Sequence, residues 1–315
     1  MNADGGTSIL LLPSTVDRRL VLLKLETETV VSKLKLCLPL AALAARFRLH
    51  TRRRQNPEAL MAFSNCYGDT TRADAYAKLE FANTYYLAYR DLPEIFRRHV
   101  TSTPTRATSA RAGDPGGTRA LDFGSGAGRS TRFARQHGFE VVGVDIAPEM
   151  IARARQLDPA GDYRLIENDD VSQFAPGTFD LVLSLFTFDN IPGFDTKVRL
   201  FHDLGALLNA SGKMVSVVSA PEIYWHEWAS FSTRDYPENR RARPGDVVHI
   251  ITTDLPDRRP AEDILCPDET YRQIYARAGL QVVAMYKPLA TGAEPYQWVN
   301  ETRIAPWVIY VLARG

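Results

Sequence analysis

The sequence has few cysteines, no long apolar run and almost no net charge. Its three cysteines, Cys37, Cys66 and Cys266, lie far apart among 315 residues. An odd, scattered set makes neither a disulfide framework nor a clustered metal site, so a reducing, cytoplasmic setting and no metal are expected. No stretch reaches the ~18 to 20 apolar residues that cross a bilayer. The best runs are residues 9–12 and 37–45, and Pro39 interrupts the second. A secretory leader needs basic residues ahead of its apolar core. Here Asp4 comes first, and Arg18 and Arg19 follow the apolar run. Asp4, Asp17, Glu26 and Glu28 are acids that a mitochondrial presequence lacks. Lys and Arg number 38 against 37 Asp and Glu, which argues against a nucleic-acid partner held by bulk charge.

The apolar share of 45% is ample for a core that needs no staples. Charge is unevenly placed. Residues 1–60 carry ten Lys/Arg and five Asp/Glu, and five arginines crowd residues 46–54. Residues 34–38 alternate as a strand would, and residues 40–49 read as a short helix. The segment 1–56 is taken as an extension, its basic face either solvated or poorly ordered, with contact to an anionic surface as the alternative. Residues 57–100 are expected to form a helical lid. Within it, Phe81, Tyr85, Tyr89 and Phe96 fall near one face of a helix over 76–100 that Pro93 breaks or kinks. Residues 101–118 are rich in Thr, Ser, Pro and Gly and read as a linker.

From residue 119 strands alternate with helices. Strands are expected at 120–123, 140–144, 163–166, 179–186 and 214–218, with helices at 129–137, 148–156 and 197–208. The run 179–186 is continuously apolar, as for a strand covered on both faces. A helix at 271–278 ends at Gly279, and strands at 281–286 and 307–312 follow with no helix between them. This predicts an α/β fold: a doubly wound, mostly parallel sheet whose last strand is antiparallel.

The glycine loop is the main chemical signal. Asp122-Phe123-Gly124-Ser125-Gly126-Ala127-Gly128-Arg129 ends a strand and opens a helix. Glycines there tolerate positive φ and allow a ligand close to the backbone, and the helix N-terminus faces that ligand. The dinucleotide fingerprint G-x-G-x-x-G would put its third glycine where Arg129 stands, which disfavours NAD. A carboxylate at Asp122 suits an ammonium group better than a pyrophosphate. Asp145 closes the second strand, where a carboxylate accepts ribose hydroxyls. Met150 lies on the next helix, able to cover an adenine, and Asp169 and Asp170 follow the third strand, where a carboxylate can accept from an adenine amino group.

With these residues in register, residues 119–312 resemble the class I S-adenosylmethionine-dependent methyltransferases, and the phrase VVGVDIAPEMIARAR is close to their quinone and natural-product branch. The resemblance implies a seven-stranded Rossmann-like sheet, an N-terminal helical lid and S-adenosylmethionine as cofactor. It assigns Asp122, Gly124, Ser125, Gly126 and Gly128 to the methionine end of the cofactor. Asp145 falls to the ribose and Asp169 to the adenine, and Ile146, Met150, Asp170 and Leu185 are further expected cofactor contacts. The implied reaction is methyl transfer to oxygen or nitrogen, with carbon a further option, on a small organic acceptor.

The acceptor side is sought beyond the carboxyl ends of the strands. Phe186-Thr187-Phe188-Asp189-Asn190-Ile191-Pro192 lacks the Pro-Pro of enzymes that grip a flipped base. Asp189 is a candidate catalytic residue that would orient an acceptor amine or hydroxyl, and Phe188 a candidate to touch it; the alternative for Asp189 is a turn residue. The long insertion 219–246 holds Tyr224, Trp225, His226, Glu227 and Trp228. Tyr85, Tyr224, Trp225 and Trp228 are candidate acceptor contacts, His226 a candidate base and Glu227 or Glu222 its polarising partner. The alternatives are that the indoles pack a lid, that His226 is merely exposed and that the aromatic face of 76–100 is core. Residues 253–263, dense in charge and proline, read as a rigid turn with Asp–Arg pairs or a substrate clamp. The loop 294–301 either lines the same pocket or joins two strands. Rival functions are an S-adenosylmethionine binder without transfer, a nicotinamide oxidoreductase and macromolecular methylation.

Overall fold

The computed structural model describes residues 70–100 and 117–315. The extension, the first part of the lid segment and almost all of the expected linker lie outside these residues.

Ten strands and seven α-helices follow one another along the described chain. Three helices come first: α1 (Thr70–Tyr76), α2 (Thr84–Arg90) and α3 (Leu92–His99). The expected single helix is therefore two elements with a strap before them. The run divides just before Pro93: α2 ends at Arg90, and Pro93 sits in the first turn of α3, where its missing N–H costs nothing. Asn83, at φ 52°, marks the end of the strap.

The main sheet contains β1 (Thr118–Phe123), β2 (Phe139–Asp145), β3 (Asp162–Leu165), β4 (Phe179–Leu185), β5 (Leu208–Ser219), β9 (Leu280–Tyr286) and β10 (Trp307–Arg314). Their order is β3-β2-β1-β4-β5-β10-β9. The pairs β1–β2, β1–β4, β2–β3 and β4–β5 are parallel, whereas β10 runs antiparallel to both neighbours. This is the doubly wound seven-stranded sheet expected from the sequence. All seven residues of β4 are buried, as its apolar run requires.

The period of two along each strand divides the core. Ala120, Leu181, Leu183, Val215, Val217, Ile309 and Val311 join Leu87, Leu92 and Phe96 of α2 and α3 on one face. Leu121, Phe123, Val182, Met214, Tyr310 and Leu312 pack on the other face with α6 (Phe194–Leu207) and α7 (Asp268–Arg277). Between the strands lie α4 (Arg129–Gln136) and α5 (Pro148–Leu157). The insertion forms a second, antiparallel sheet of β6 (Phe231–Ser232), β7 (Val247–Thr252) and β8 (Ala261–Ile264).

The chain winds outward from β1 in one direction and from β4 in the other. The reversal leaves a crevice beyond the carboxyl ends of these two strands, the general ligand position in open α/β sheets.

Candidate functional site

A cavity of about 450 Å³ fills that crevice. Its floor is the turn after β1. Gly124 (φ 74°) and Gly126 (φ 53°) adopt the left-handed backbone that favours glycine. A Cβ on Gly124 would meet Thr187 Oγ1 at 2.2 Å, whereas one on Gly126 would meet nothing within 4 Å. The first glycine is thus needed for packing, and the second leaves the loop open to the cavity. Gly128 does not line the cavity; its missing Cβ makes room for the Tyr163 hydroxyl, which would lie 2.6 Å away.

Asp145 ends β2 at the cavity wall. The backbone N–H of Gly126 donates to its Oδ2 (2.8 Å) and that of Ala147 to its Oδ1 (2.9 Å). These bonds fix the carboxylate while leaving lone pairs on both oxygens. Burial raises the Asp145 pKa despite the two bonds. Ile146, Met150, Asp169 and Leu185 also line the cavity. Asp169 is itself at φ 59°, and burial raises its pKa too.

The opposite part is built by the turn after β4, the end of β5 and the insertion sheet. Asp189 is 5% exposed. Its carboxylate accepts from Ser219 N–H (3.0 and 3.1 Å) and Ser219 Oγ (2.9 Å). Asp263 of β8 is 8% exposed and accepts from Tyr224 OH (2.9 Å) and Asn190 Nδ2 (2.5 Å). Burial, and the Asp263 carboxylate next, push Asp189 well above the ordinary carboxylate range; burial raises Asp263 as well. Lys197 is buried behind them and donates to the Phe188 carbonyl. Burial lowers its pKa, against the pull of Cys266, Asp189 and Asp263. Tyr85, Phe231 and Trp307 supply an aromatic wall, with Tyr85–Phe231 centroids 5.1 Å apart. Arg129 stands on this wall, its guanidinium 4.6 Å from the Tyr85 ring centroid, and donates to the Glu80 carbonyl.

The cavity therefore unites ten of the residues singled out from sequence: Gly124, Ser125, Gly126, Asp145, Ile146, Met150, Asp169, Leu185, Asp189 and Tyr85. The others stand elsewhere. Asp122 is fully buried beneath the loop, where Ser130 and Thr131 hydroxyls donate to Oδ2 (2.6 Å each) and Oδ1 has no partner. Burial pushes its pKa up to about 6. Asp170 is exposed and caps its own turn by accepting from Ser172. Phe188 points into the core and stacks on Phe201 at 3.8 Å.

The insertion residues are likewise engaged in structure. Trp225 Nε1 donates to Asn239 O, and Trp228 Nε1 to Ile223 O. Tyr224 backs Asp263 from outside the cavity. His226 makes an edge contact with Trp228, and Glu227 accepts from Ser232 Oγ and Thr233 N–H. The turn 253–260 contains the Asp257–Arg259 pair. Glu301 is fully buried and accepts from Thr84 Oγ1, Ala229 N–H, Val299 N–H and Asn300 N–H, so its loop ties α2 to the insertion.

Sequence reasoning reached Asp263 only as the last residue of the 253–263 segment, read as a turn or a clamp, and did not single out Thr252, Ser219 or Trp307 as cavity residues. Asp263 had the clearest available signal, an acid two residues after the apolar Ala261 in a strand-length run.

The methyltransferase domain family matches residues 121–216, from β1 into β5. Residues 121–216 are a methyltransferase domain. The ubiquinone biosynthesis O-methyltransferase of Pseudomonas aeruginosa is 35% identical over 92 residues, which are 28% of this chain and 40% of that protein. The 2-methyl-6-phytyl-1,4-hydroquinone methyltransferase of Synechocystis is 37% identical over 81 residues, 25% of this chain and 26% of that protein. A methyltransferase structure from Clostridium acetobutylicum is similar with a TM-score of 0.49 at 11% identity, covering 80% of this chain and all of that one. The chain spans about two fifths of the length of the Pseudomonas relatives it matches. The resemblance to the class I methyltransferases is borne out, and with it the implied cofactor, S-adenosylmethionine.

The methyltransferase domain offers groups that fit this cofactor. Ser125 Oγ is buried on the cavity wall without a hydrogen-bond partner in the protein. Asp145 retains acceptor capacity, and Gly126 leaves open space above the loop. An acceptor-rich wall beside bare backbone suits a molecule carrying ribose hydroxyls and an ammonium group.

Proposed function

We propose that the chain transfers a methyl group from S-adenosylmethionine to an oxygen or nitrogen atom, or alternatively a carbon, of a small organic molecule. One observation carries this reading: the open glycine loop, Asp145 and Asp189 wall a single cavity. The bound cofactor supplies a methyl group activated on a sulfonium. Gly124, Ser125 and Gly126 would bind its amino-acid end, Asp145 and Ile146 its ribose, and Met150, Asp169 and Leu185 its base. Asp189 takes the proton that an O–H or N–H acceptor gives up, at a carboxylate oxygen that burial has made more basic. The aromatic wall excludes water from that transfer.

The domain plan that goes with this reading is an extension over 1–56, a lid over 57–100, a linker over 101–118 and the catalytic domain over 119–315. No helix among the described residues is long and apolar enough to cross a membrane. Scattered cysteines and near-neutral charge support a cytoplasmic enzyme with no nucleic-acid partner.

Calorimetric titration with S-adenosylmethionine, S-adenosylhomocysteine and NAD, on wild type and Asp145→Ala, tests the reading. Micromolar binding of both sulfur ligands, lost in the variant, is the expected result. Preference for NAD would overturn it. Formation of S-adenosylhomocysteine in the presence of acceptors then separates a transferase from a protein that only binds the cofactor.

A further inference from the structure

We propose that Asp189 and Asp263 act together as the acceptor-recognising pair, selecting an apolar molecule that presents one hydrogen-bond donor, a hydroxyl or an amine. This rests on the reading above and names its substrate class.

The two carboxylates come from distant parts of the sequence. Asp189 lies in the turn after β4, and Asp263 lies on β8, paired with Val248 of β7. Both open onto the cavity, and each is at least nine-tenths buried. Around them the wall is apolar: Tyr85, Ile223, Phe231, Ile250 and Trp307. A carboxylate pair in such a wall is a costly arrangement unless a donor completes it. Asp189 is held at the end of β5 and Asp145 at the end of β2, with β1 and β4 between those two strands. The pair therefore stands well away from the ribose acid.

The hydrogen bonds fix both side chains without saturating them. Ser219 alone serves Asp189, and Tyr224 OH and Asn190 Nδ2 serve Asp263. Two carboxylates offer about eight acceptor sites between them. The neighbouring cation, Lys197, gives its hydrogen bond to the Phe188 carbonyl. An entering O–H or N–H can thus donate to one carboxylate while the other carries a proton. A methyl ether or a hydrocarbon of the same shape leaves both carboxylates short of a donor. Selection by unmet hydrogen bonds is stronger than selection by a missing methylene.

The test uses the full chain saturated with S-adenosylhomocysteine and four aryl probes: phenol, aniline, anisole and toluene. Ligand-observed NMR titrations report their affinities. Phenol or aniline should bind at least about tenfold more tightly than anisole and toluene, and the better of the two identifies hydroxyl or amine. Asp263→Asn and Asp189→Asn should each erase that preference. Both variants should keep wild-type affinity for S-adenosylhomocysteine and a cooperative melt, which separates loss of recognition from misfolding. Equal binding of the four probes, absence of phenol and aniline binding, or a preference that survives Asp263→Asn overturns the proposal. If S-adenosylhomocysteine itself fails to bind, the cofactor reading falls, and the same titration on the unloaded chain still judges the pair.

Discussion

Thr187 occupies the space where Gly124 lacks a side chain, its Oγ1 donating to the Phe123 carbonyl at 3.0 Å. The turn after β4 is thereby seated directly on the turn after β1. The two halves of the cavity are held in register by this contact.

Gly124→Ala and Gly126→Ala should consequently separate packing from binding. Gly124→Ala introduces a clash in a left-handed backbone and should cost about 2 to 4 kcal/mol of stability. Gly126→Ala meets no protein atom, so its cost should stay near about 1 to 2 kcal/mol while affinity for S-adenosylhomocysteine falls sharply. Denaturant melts and calorimetry on both variants check this pattern; similar melting loss in the two would contradict it.

Asp122 gives a pH signature. Its carboxyl holds a proton more tightly in the folded chain, up to about 6, than the ordinary value of 3.8, chiefly because it is buried. Between these two values the native state binds more protons than the unfolded one. Its contribution is full below about pH 4 and is lost as pH rises through about 6, on the order of 2 to 3 kcal/mol. Asp122→Asn retains an acceptor for Ser130 and Thr131. Its stability relative to wild type should therefore improve from pH 4 to pH 6, and a constant difference over that range would refute the assignment.

Asp189 and His226 should behave differently in turnover. Asp189→Asn removes the proposed base from the cavity and should lower kcat about 10² to 10⁴-fold with cofactor affinity retained. His226→Ala should change kcat by less than about twofold, because the ring lies outside the cavity lining. Steady-state kinetics with any accepted substrate would decide, and the reverse ranking would return the role to the histidine.

Glu301→Ala should destabilise the chain by about 3 kcal/mol or more, since it strands the donors of Thr84, Ala229, Val299 and Asn300 in a buried site. Glu301→Gln keeps acceptor oxygen and should lose less. Thermal unfolding of the pair measures the difference; equal melting temperatures would show that the network is dispensable.

The strands of the main sheet were readable because burial writes itself as runs and alternations, and β4 is the plainest case. The floor of the cavity was readable because Gly124, Gly126, Asp145 and Met150 lie within one stretch of chain. The opposite wall was not, because Asp263 reaches the cavity only through the pairing of β7 with β8, which no local pattern encodes. Proline and charge in 253–260 also masked the short strand that follows. Trp225 and Trp228 show the opposite failure: their abundance suggested a pocket, but their indole N–H groups are committed to backbone carbonyls. Composition reports how much apolar surface a loop has, not which way it faces.

The place of β10 also bears on how the chain is made. It lies between β5 and β9, so the sheet is closed from inside by residues 307–314, which emerge last of all its strands from the ribosome. Until then β5 presents an unpaired edge, the kind of surface on which nascent chains stick to one another. Slow translation late in the message would prolong that exposure, and a nonsense codon just before residue 307 would make it permanent.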